Sequence, residues 1–240
     1  MGDEGVANKS ERAVGGVLYL VPTPLGNLRD ITLRALDILG SADVLACEDT
    51  RRTGNLLACH NVVRAGRMAS FHEHNERERA AELSQELAAG RSVALATNAG
   101  MPSISDPGYR LVAAALEAGA RVVALPGPSV VPTALAASGL AVDRFAFLGF
   151  APKKPGAREK FLADAAARAE TVIFFESAER LARTLAEAAR AFGPERRAVV
   201  ARELSKLHEE YARGTLGELA ARFEAAPPKG EITVLVAGRG

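Results

Sequence analysis

The chain has 240 residues, of which 48% are hydrophobic and 25% are charged. This composition is typical of globular proteins, so global disorder is excluded, and the length fits one large domain or two modest ones. Thirty Lys and Arg residues against 29 Asp and Glu residues give a formal net charge of +1. Nucleic-acid binding through bulk charge is therefore disfavoured, although local basic patches remain compatible with this balance. The two cysteines, Cys47 and Cys59, form neither a disulfide framework nor a metal-ligand spacing.

Residues 1–16 predict a flexible polar tail rather than a signal peptide. Lys9 and Arg12 precede an apolar run at 14–21, but acidic residues flank that run and Pro22 ends it. No stretch approaches the length of about 18 unbroken apolar residues that indicates a membrane span. We therefore expect a cytoplasmic protein.

In the first half of the chain, short apolar runs alternate with Gly- and Pro-rich turns and with helices. Asp106 and Pro107 are suited to begin a helix, and Gly119 is suited to end it. Short buried strands that alternate with helices favour a parallel sheet covered by helices on both faces. The apolar runs are 18–21, 43–47, 93–96 and 122–125.

The second half repeats this alternation without repeating the sequence. Thr215 and Glu218 predict a capping box at the start of the last helix. The predicted fold class is α/β, with two lobes of mainly parallel sheets: residues 17–127 form the first lobe and residues 128–240 the second. The apolar runs of the second half are 145–148, 171–175, 198–201 and 232–236.

Unusual turns follow four of the predicted strands. Ligands of open parallel sheets bind beyond the carboxyl ends of the strands, where Gly and Pro let a ligand approach the main chain. One such turn is ordinary connection chemistry, but four favour a ligand cleft. Dinucleotide, phosphate-loop and nucleophile-elbow motifs are absent from these strand–turn–helix segments. The turns are 22–27, 98–108, 126–129 and 176–177.

Several charged clusters allow two interpretations. Glu48 and Asp49, beside two arginines, could orient a substrate or form a surface ion-pair network. Glu203, with Lys206 after it, raises the same alternatives. A basic loop at 153–160 could hold phosphates, although such clusters are more often solvated. The His72–His74 pair lacks a predictable third ligand, so a polar loop is favoured over a metal site, and no metal is expected.

Seven motifs in order resemble the ribosomal-RNA ribose methyltransferases of the tetrapyrrole-methylase superfamily. The resemblance runs from about Val17 to Val236, and the seven motifs together are specific although each alone is weak. They are 18–32 (Leu-Tyr-Leu-Val-Pro-Thr-Pro-Leu-Gly-Asn-Leu, with Asp-Ile-Thr at its end), 48–51 (Glu-Asp-Thr-Arg), 71–76 (Phe-His-Glu-His-Asn-Glu), 105–109 (Ser-Asp-Pro-Gly-Tyr), 125–129 (Leu-Pro-Gly-Pro-Ser), 174–177 (Phe-Phe-Glu-Ser) and 201–206 (Ala-Arg-Glu-Leu-Ser-Lys).

The resemblance implies 2′-O-methylation of a cytidine ribose in small-subunit (16S) ribosomal RNA, with S-adenosylmethionine as the methyl donor. It further implies that the donor binds in the cleft between the two lobes and that the enzyme is a homodimer. Because the chain has little net positive charge, we expect the substrate to be the RNA within the small ribosomal subunit. Apolar walls and backbone polar groups would suit a sulfonium donor. The implied donor-binding residues are Leu25, Asn98, Ala99, Gly100, Met101, Ile104, Ser129, Val130, Phe175, Leu204 and Ile232.

One position departs from the family pattern. Asn98 stands where members of the family usually carry Asp. Loss of the carboxylate could weaken binding of a cationic donor, or the amide could keep the hydrogen bond.

Methyl transfer to a hydroxyl needs alignment and can use a base that accepts the hydroxyl proton. Glu48 and Asp49 are the first candidates for this base, and Glu203 is the next. Phe71 and Tyr109 are candidate stacking partners for bases, with ordinary packing as the favoured alternative for both. The predicted RNA contacts are Arg51, Arg52, Lys153, Lys154, Arg158, Lys160 and Lys206.

Two other functions stay open at this point. One is methylation of a tetrapyrrole by an enzyme of the same superfamily, although the 48–51 and 72–76 segments resemble the RNA branch. The other is a non-catalytic RNA-binding or ribosome-assembly module, which Asn98 and the end of the sequence at Gly240 keep open.

Overall fold

The computed structural model describes residues 10–239, which divide into two compact units with the boundary between Pro128 and Ser129. The first unit contains a five-stranded, fully parallel sheet in the order β3-β2-β4-β1-β5. Its elements are β1 (Val17–Val21), α1 (Leu33–Ser41), β2 (Val44–Cys47), α2 (Thr50–Cys59), β3 (Arg67–Ser70), α3 (Glu76–Ala88), β4 (Val93–Ala96), α4 (Tyr109–Glu117) and β5 (Arg121–Ala124).

The interior strand β1 is buried on both faces, as the uninterrupted apolar run at 18–21 predicts. Side chains of a strand alternate between the two faces of its sheet. Leu18 and Leu20 pack with Leu83 of α3 and Leu111 of α4 on one face. Tyr19 and Val21 pack on the other face, against the helix residues Ile38 and Leu39. The predicted helical layers on both faces are confirmed.

The second unit contains a mixed sheet in the order β6-β7-β10-β8-β9, in which only the β6–β7 pair is parallel. The α/β class is confirmed, and this sheet differs from the mainly parallel expectation because β10 runs antiparallel to both β7 and β8, and β8 runs antiparallel to β9. Its elements are α5 (Val130–Ala136), β6 (Phe145–Phe150), α6 (Pro155–Ala166), β7 (Thr171–Ser177), α7 (Leu181–Phe192), β8 (Arg197–Arg202), β9 (Glu210–Thr215), α8 (Leu216–Ala225) and β10 (Glu231–Val236).

Residues 11–16 differ from the expected flexible tail, while residues 1–9 lie outside the described part of the chain. The Glu11 carboxylate forms an ion pair with Arg34 of α1 at 2.5 Å. The Ala13 amide donates to Ser41 Oγ at 2.9 Å, and the Gly16 amide donates to the Arg91 carbonyl at 3.1 Å. These bonds attach the segment to the first unit.

Between residues 10 and 239, no helix is both long and apolar enough to cross a membrane.

Candidate active site

The carboxyl ends of the five parallel strands in the first unit lie along one edge of the sheet. This edge is the usual position of ligand sites in open α/β sheets. Three of the predicted turns follow β1, β4 and β5, which are neighbours in the sheet order, and Glu48 and His72 follow β2 and β3. The structure therefore brings the first-unit candidates to the same edge.

Hydrogen bonds connect the turns after β1 and β4. The Thr23 amide donates to the Gly100 carbonyl at 3.0 Å, and the Gly100 amide donates to the Thr23 carbonyl at 2.9 Å. Gly100 has a φ of +79°, and a Cβ at this position would lie 3.2 Å from Leu25 Cδ2. Glycine is needed here for both reasons. Leu25 and Gly100, both predicted to bind the donor, are in contact.

The turn after β5 packs against the turn after β1. A Cβ on Gly127 would lie 3.0 Å from two carbons of the Pro22 ring. The absence of a side chain at Gly127 thus allows the two turns to approach. The Leu125 amide donates to the Leu20 carbonyl at 3.0 Å, which extends the pairing of β5 with β1. The three turns form a continuous rim.

Asn98, on this rim, carries a buried side-chain oxygen without a partner in the described part of the chain. Its Oδ1 atom is buried and has no hydrogen-bond partner within residues 10–239. The Asn98 backbone amide points to Glu48 Oε2 at 3.4 Å. A buried acceptor without a partner costs about 1–3 kcal/mol, so such atoms are uncommon and are found at functional sites.

Two further buried polar atoms without partners among the described residues lie on loops of the first unit, one on the Asn98 loop itself and one on the loop after β3. They are His72 Nδ1 after β3 and Ser103 Oγ after β4. The sequence predicts a polar loop at His72, and no pattern in the sequence marks Ser103. The His72 loop is fixed by Asn75, whose Oδ1 accepts the His72 amide at 2.8 Å. Its position in the 71–76 motif is the signal that marks His72 in the sequence.

The adjacent acidic residues Glu48 and Asp49 have different surroundings. Asp49 caps the N-terminus of α2, because its Oδ1 accepts the amides of Arg51 at 2.9 Å and Arg52 at 3.3 Å. These bonds, chiefly that from the Arg51 amide, lower the pKa of the Asp49 carboxyl. A lowered pKa makes Asp49 a weak proton acceptor. Glu48 is half-buried and contacts the rim residue Asn98.

Glu203, the third candidate base, belongs to a bonded cluster of the second unit. Its Oε1 accepts the Glu231 amide at 2.9 Å and the Lys206 ammonium at 2.9 Å. The Glu231 amide first, and then Lys206, lower the pKa of this carboxyl. Lys206 also pairs with the Glu231 carboxylate at 3.1 Å. Both Glu203 and Lys206 therefore have partners within the chain.

The second-unit residues predicted to bind the donor lie on both faces of its sheet. Val130, Phe175 and Leu204 pack in one apolar cluster. Ile232 packs in the cluster on the opposite face. Ser129 stands immediately before α5, as its N-cap.

Most of the side chains predicted to contact RNA are exposed, and some of them are ion-paired within the chain. Arg51 is 89% exposed, and Arg52 is also exposed. Lys153 and Lys154 are exposed on the loop before α6, whereas exposed Lys160 pairs with Asp164 at 2.7 Å.

Arg158 corrects the sequence prediction, because it is 1% exposed and cannot contact a phosphate at the surface. It forms a two-pronged pair with Glu187, with nitrogen–oxygen distances of 2.6 and 2.9 Å. Its guanidinium also donates to the Lys153 carbonyl at 3.0 Å. Arg158 thus fixes the loop that presents the two lysines.

The two candidate stacking residues have opposite exposures. Phe71 is 1% exposed and belongs to the core, as favoured from the sequence. Tyr109 is 77% exposed, so ordinary packing does not describe it. Within residues 10–239, no group of three or more metal-ligating side chains is suitably placed for an ion.

The two α/β units, with turns and an acidic residue at the carboxyl edge of a parallel sheet, define a ligand-binding enzyme of the α/β class. The family of tetrapyrrole (corrin/porphyrin) methylases matches residues 17–220. The chain belongs to this family and is a methyltransferase.

A curated relative from Mesorhizobium japonicum, ribosomal RNA small subunit methyltransferase I, is 50% identical over 226 residues. The match covers 94% of this chain and 76% of the relative. Among solved structures, uroporphyrin-III-C-methyltransferase from Thermus thermophilus aligns with a TM-score of 0.65 and 23% identity, covering 92% and 94% of the two chains. Uroporphyrin-III C-methyl transferase from the same organism, complexed with S-adenyl homocysteine, aligns with a TM-score of 0.61 and 21% identity, covering 91% and 96%. These structures share the fold.

Proposed function

We propose that this chain transfers a methyl group from S-adenosylmethionine to the 2′-hydroxyl of a cytidine in small-subunit (16S) ribosomal RNA. The observation that carries the proposal is the 50% identity, over 94% of the chain, to a relative named for methylation of small-subunit ribosomal RNA. The uroporphyrin enzyme that shares the fold is 23% identical, so the RNA substrate is favoured over a tetrapyrrole.

The rim residues of the first unit fit the donor. Asn98 Oδ1 is a buried acceptor without a partner, and the amine and hydroxyl groups of S-adenosylmethionine are donors that suit it. Leu25 supplies an apolar wall, and the lack of a side chain at Gly100 leaves the main chain open to close approach. When bound, the donor supplies a methyl group activated by a positively charged sulfur. Asn98, Leu25 and Gly100 bind and orient it.

Glu48 is the proposed proton acceptor for the ribose hydroxyl. It contacts the Asn98 amide, it is half-buried, and its neighbour Asp49 is committed to capping α2. The exposed Arg51 and Arg52 at the start of that helix bind phosphates of the substrate. The end of β2 therefore supplies the proposed proton acceptor, and the start of α2 supplies the side chains that position the RNA.

The substrate is proposed to be RNA within the small ribosomal subunit, acted on in the cytoplasm by a homodimer. The net charge of +1 supports a structured substrate, since the chain has little bulk attraction for naked RNA. The homodimer rests on the family resemblance, and light scattering of the purified protein measures it directly.

The experiment is methyl incorporation from labelled S-adenosylmethionine into small ribosomal subunits from a strain that lacks the enzyme. Naked ribosomal RNA and a tetrapyrrole are assayed beside the subunits. The proposal predicts label in the RNA at one cytidine, whose 3′ linkage then resists alkaline cleavage. Transfer to the tetrapyrrole alone, or donor binding without transfer to either RNA, would overturn the substrate assignment. Absence of donor binding would favour the non-catalytic module.

A further inference from the structure

Tyr109 is a large aromatic side chain that the fold leaves in solvent. It begins α4, at the end of the loop that starts with the rim residue Asn98, and it is 77% exposed. Phe71, the aromatic residue of the neighbouring loop, is 1% exposed. A single exposed aromatic is not by itself a site. The surroundings of Tyr109 supply the further observations.

The backbone on both sides of Tyr109 is fixed. Glu76 Oε1 accepts the Gly108 amide at 2.9 Å and the Arg110 amide at 3.3 Å, and the Glu76 side chain is only 15% exposed. Gly108 has a φ of +148°, and a Cβ there would lie 2.2 Å from Ser103 Oγ. The ring is therefore held out from a rigid support, which lowers the entropy lost when a ligand contacts it.

Positive charge accompanies the exposed ring. Arg77 of α3 and Arg110 of α4 are both exposed and line one groove between the two helices, of about 490 Å³. The ion pair of Arg110 with Glu76 is long, at 3.8 Å, and the Arg110 side chain is 61% exposed. Glu117 is the acidic residue that lines the same groove. Tyr109 directly precedes Arg110 at the start of α4, and Arg77 follows Glu76, whose carboxylate bonds the amides on both sides of Tyr109. Exposed aromatic and guanidinium groups on these two adjoining helix starts have the chemistry of a single-stranded RNA contact.

We propose that Tyr109, Arg77 and Arg110 bind a single-stranded segment of the RNA substrate. The Tyr109 ring stacks on one unpaired base, and the two guanidinium groups contact phosphates of the adjoining backbone. Stacking uses the face that every base possesses, so this contact selects unpaired RNA over duplex without reading a sequence. The proposal rests on the proposed function, because it supplies a binding surface for the same RNA.

The composition of the chain gives this proposal a direct probe. The sequence contains no Trp, so Tyr109→Trp introduces the only tryptophan and keeps an aromatic ring in place. Leu116→Trp is the matched control, because Leu116 lies two turns further along α4 and is 59% exposed. The emission of each variant is measured while a short single-stranded RNA is added, with a duplex of equal length in a parallel titration.

The proposal predicts saturable quenching of Tyr109→Trp by the single strand, weaker quenching by the duplex, and little response of Leu116→Trp. Equal quenching of both variants, or RNA binding without quenching of Tyr109→Trp, would overturn it. Emission from Tyr109→Trp that shifts to shorter wavelength as protein concentration rises, without RNA, would also overturn it by placing this residue in a contact between copies of the chain.

Affinity measurements provide the second test. Stacking is worth about 1–3 kcal/mol per base, so Tyr109→Ala should weaken single-strand binding roughly tenfold, while Tyr109→Phe should bind like the original protein. Arg77→Gln and Arg110→Gln should each lower the salt slope of binding by about 1. Arg190→Gln, which removes an exposed charge from α7, should not change it. Equal binding by Tyr109→Ala and Tyr109→Phe would contradict the stacking contact.

Calorimetry with S-adenosylmethionine separates this proposal from the proposed function. All the variants should bind the donor with unchanged affinity. If the unsubstituted protein and Tyr109→Ala methylate ribosomal subunits with the same KM, the proposed RNA-binding surface is wrong and the proposed function stands. If the unsubstituted protein binds the short single strand and Tyr109→Trp shows the predicted quenching, but no RNA is methylated, the proposed function is wrong and the binding surface stands.

Discussion

The two units end their strands in different ways. In the first unit, the loops after β3 and β4 bury His72 Nδ1, Asn98 Oδ1 and Ser103 Oγ without hydrogen-bond partners in the described chain. In the second unit, the acidic residues at strand ends bond to neighbours. Glu176 accepts the Thr184 hydroxyl at 2.6 Å and pairs with Arg180, while Glu203 accepts the Glu231 amide and the Lys206 ammonium.

We interpret this difference as one between residues that stabilise the fold and residues proposed to bind a ligand. A buried polar atom with an internal partner contributes to folding, whereas one without a partner costs about 1–3 kcal/mol until a ligand satisfies it. The second unit still contains one such atom, Arg180 Nη1, but the other groups of its strand-end clusters are bonded. We therefore expect changes at Asn98 and Glu48 of the first unit to alter binding and rate, and changes in the internally bonded clusters of the second unit to alter stability.

The largest expected effect is on the methyl-transfer rate. Glu48→Gln removes the proposed proton acceptor but preserves its size, and should lower the single-turnover rate by about a hundredfold or more. Donor affinity should stay close to that of the original protein. Glu203→Gln is the matched control and should keep the rate within about threefold, since that carboxylate is bonded inside the second unit. The opposite ranking of the two variants would reverse the comparison between the units.

The next effect is on the free energy of unfolding. Arg158→Met leaves Glu187 without its buried partner and should destabilise the second unit by about 3–5 kcal/mol in urea unfolding. Arg183→Gln removes the exposed partner of the same carboxylate and should cost about 0–1 kcal/mol. If the two substitutions lowered the free energy of unfolding equally, burial of Arg158 would not determine how strongly its ion pair with Glu187 stabilises the unit.

The same pair gives a pH dependence with a defined sign. The pKa of Glu187 is about 2, lowered from 4.5 mainly by the hydrogen bonds from Arg158. Because folding lowers this pKa, the stabilisation is complete above pH 4.5 and is lost as the pH falls toward 2. In urea unfolding at a series of pH values, the free energy of unfolding should fall less steeply with decreasing pH in Arg158→Met than in the unsubstituted protein. Parallel curves of the free energy of unfolding against pH for the two proteins would contradict the conclusion that Arg158 lowers the pKa of Glu187.

A smaller effect is expected at the start of α2. Asp49→Ala removes the cap that accepts the Arg51 and Arg52 amides and should lower the stability of the first unit by about 1 kcal/mol. The single-turnover rate should change by less than about threefold, because Glu48 remains. A loss of rate as large as that of Glu48→Gln would assign the proton to Asp49 instead.

The smallest effect concerns the exposed lysines before α6. Lys153→Gln together with Lys154→Gln should reduce the slope of RNA affinity against salt by about 1–2, with donor binding unchanged. The matched control is Lys160→Gln, because Lys160 is already paired with Asp164. A slope unaffected by the double change would remove this loop from the RNA surface.

The sequence predicted the first unit best where local patterns decide the structure. The apolar runs at 18–21 and 93–96 are buried strands, and the Gly and Pro residues after them form the connected turns around Leu25 and Gly100. Two strands lack the apolar run that predicts the others. β3 begins with exposed Arg67, and β9, at the sheet edge, contains Glu210, Arg213 and Thr215 and has one buried residue.

Side-chain roles that depend on distant partners could not be predicted. Arg158 has the appearance of a surface cation in the sequence, and Glu187, the residue that buries it, lies 29 positions away. For Tyr109 the sequence favours packing, but the residue is exposed. The Glu76 carboxylate accepts the amides on both sides of Tyr109 and holds the backbone so that the ring faces solvent. Periodicity detects neither arrangement, because each depends on tertiary contacts.

The most direct measurement of the central claim compares donor affinity and stability in Asn98→Ala. If Asn98 Oδ1 binds the donor, removal of the amide should weaken S-adenosylmethionine binding by roughly tenfold to a hundredfold in calorimetry, since a lost hydrogen bond to a charged group is worth about 1.5–3 kcal/mol. The free energy of unfolding without donor should be equal to or greater than that of the original protein, because an unsatisfied buried acceptor has been removed. Unchanged donor affinity, or a loss of stability that accounts for the loss of affinity, would contradict the claim that these loops await a ligand.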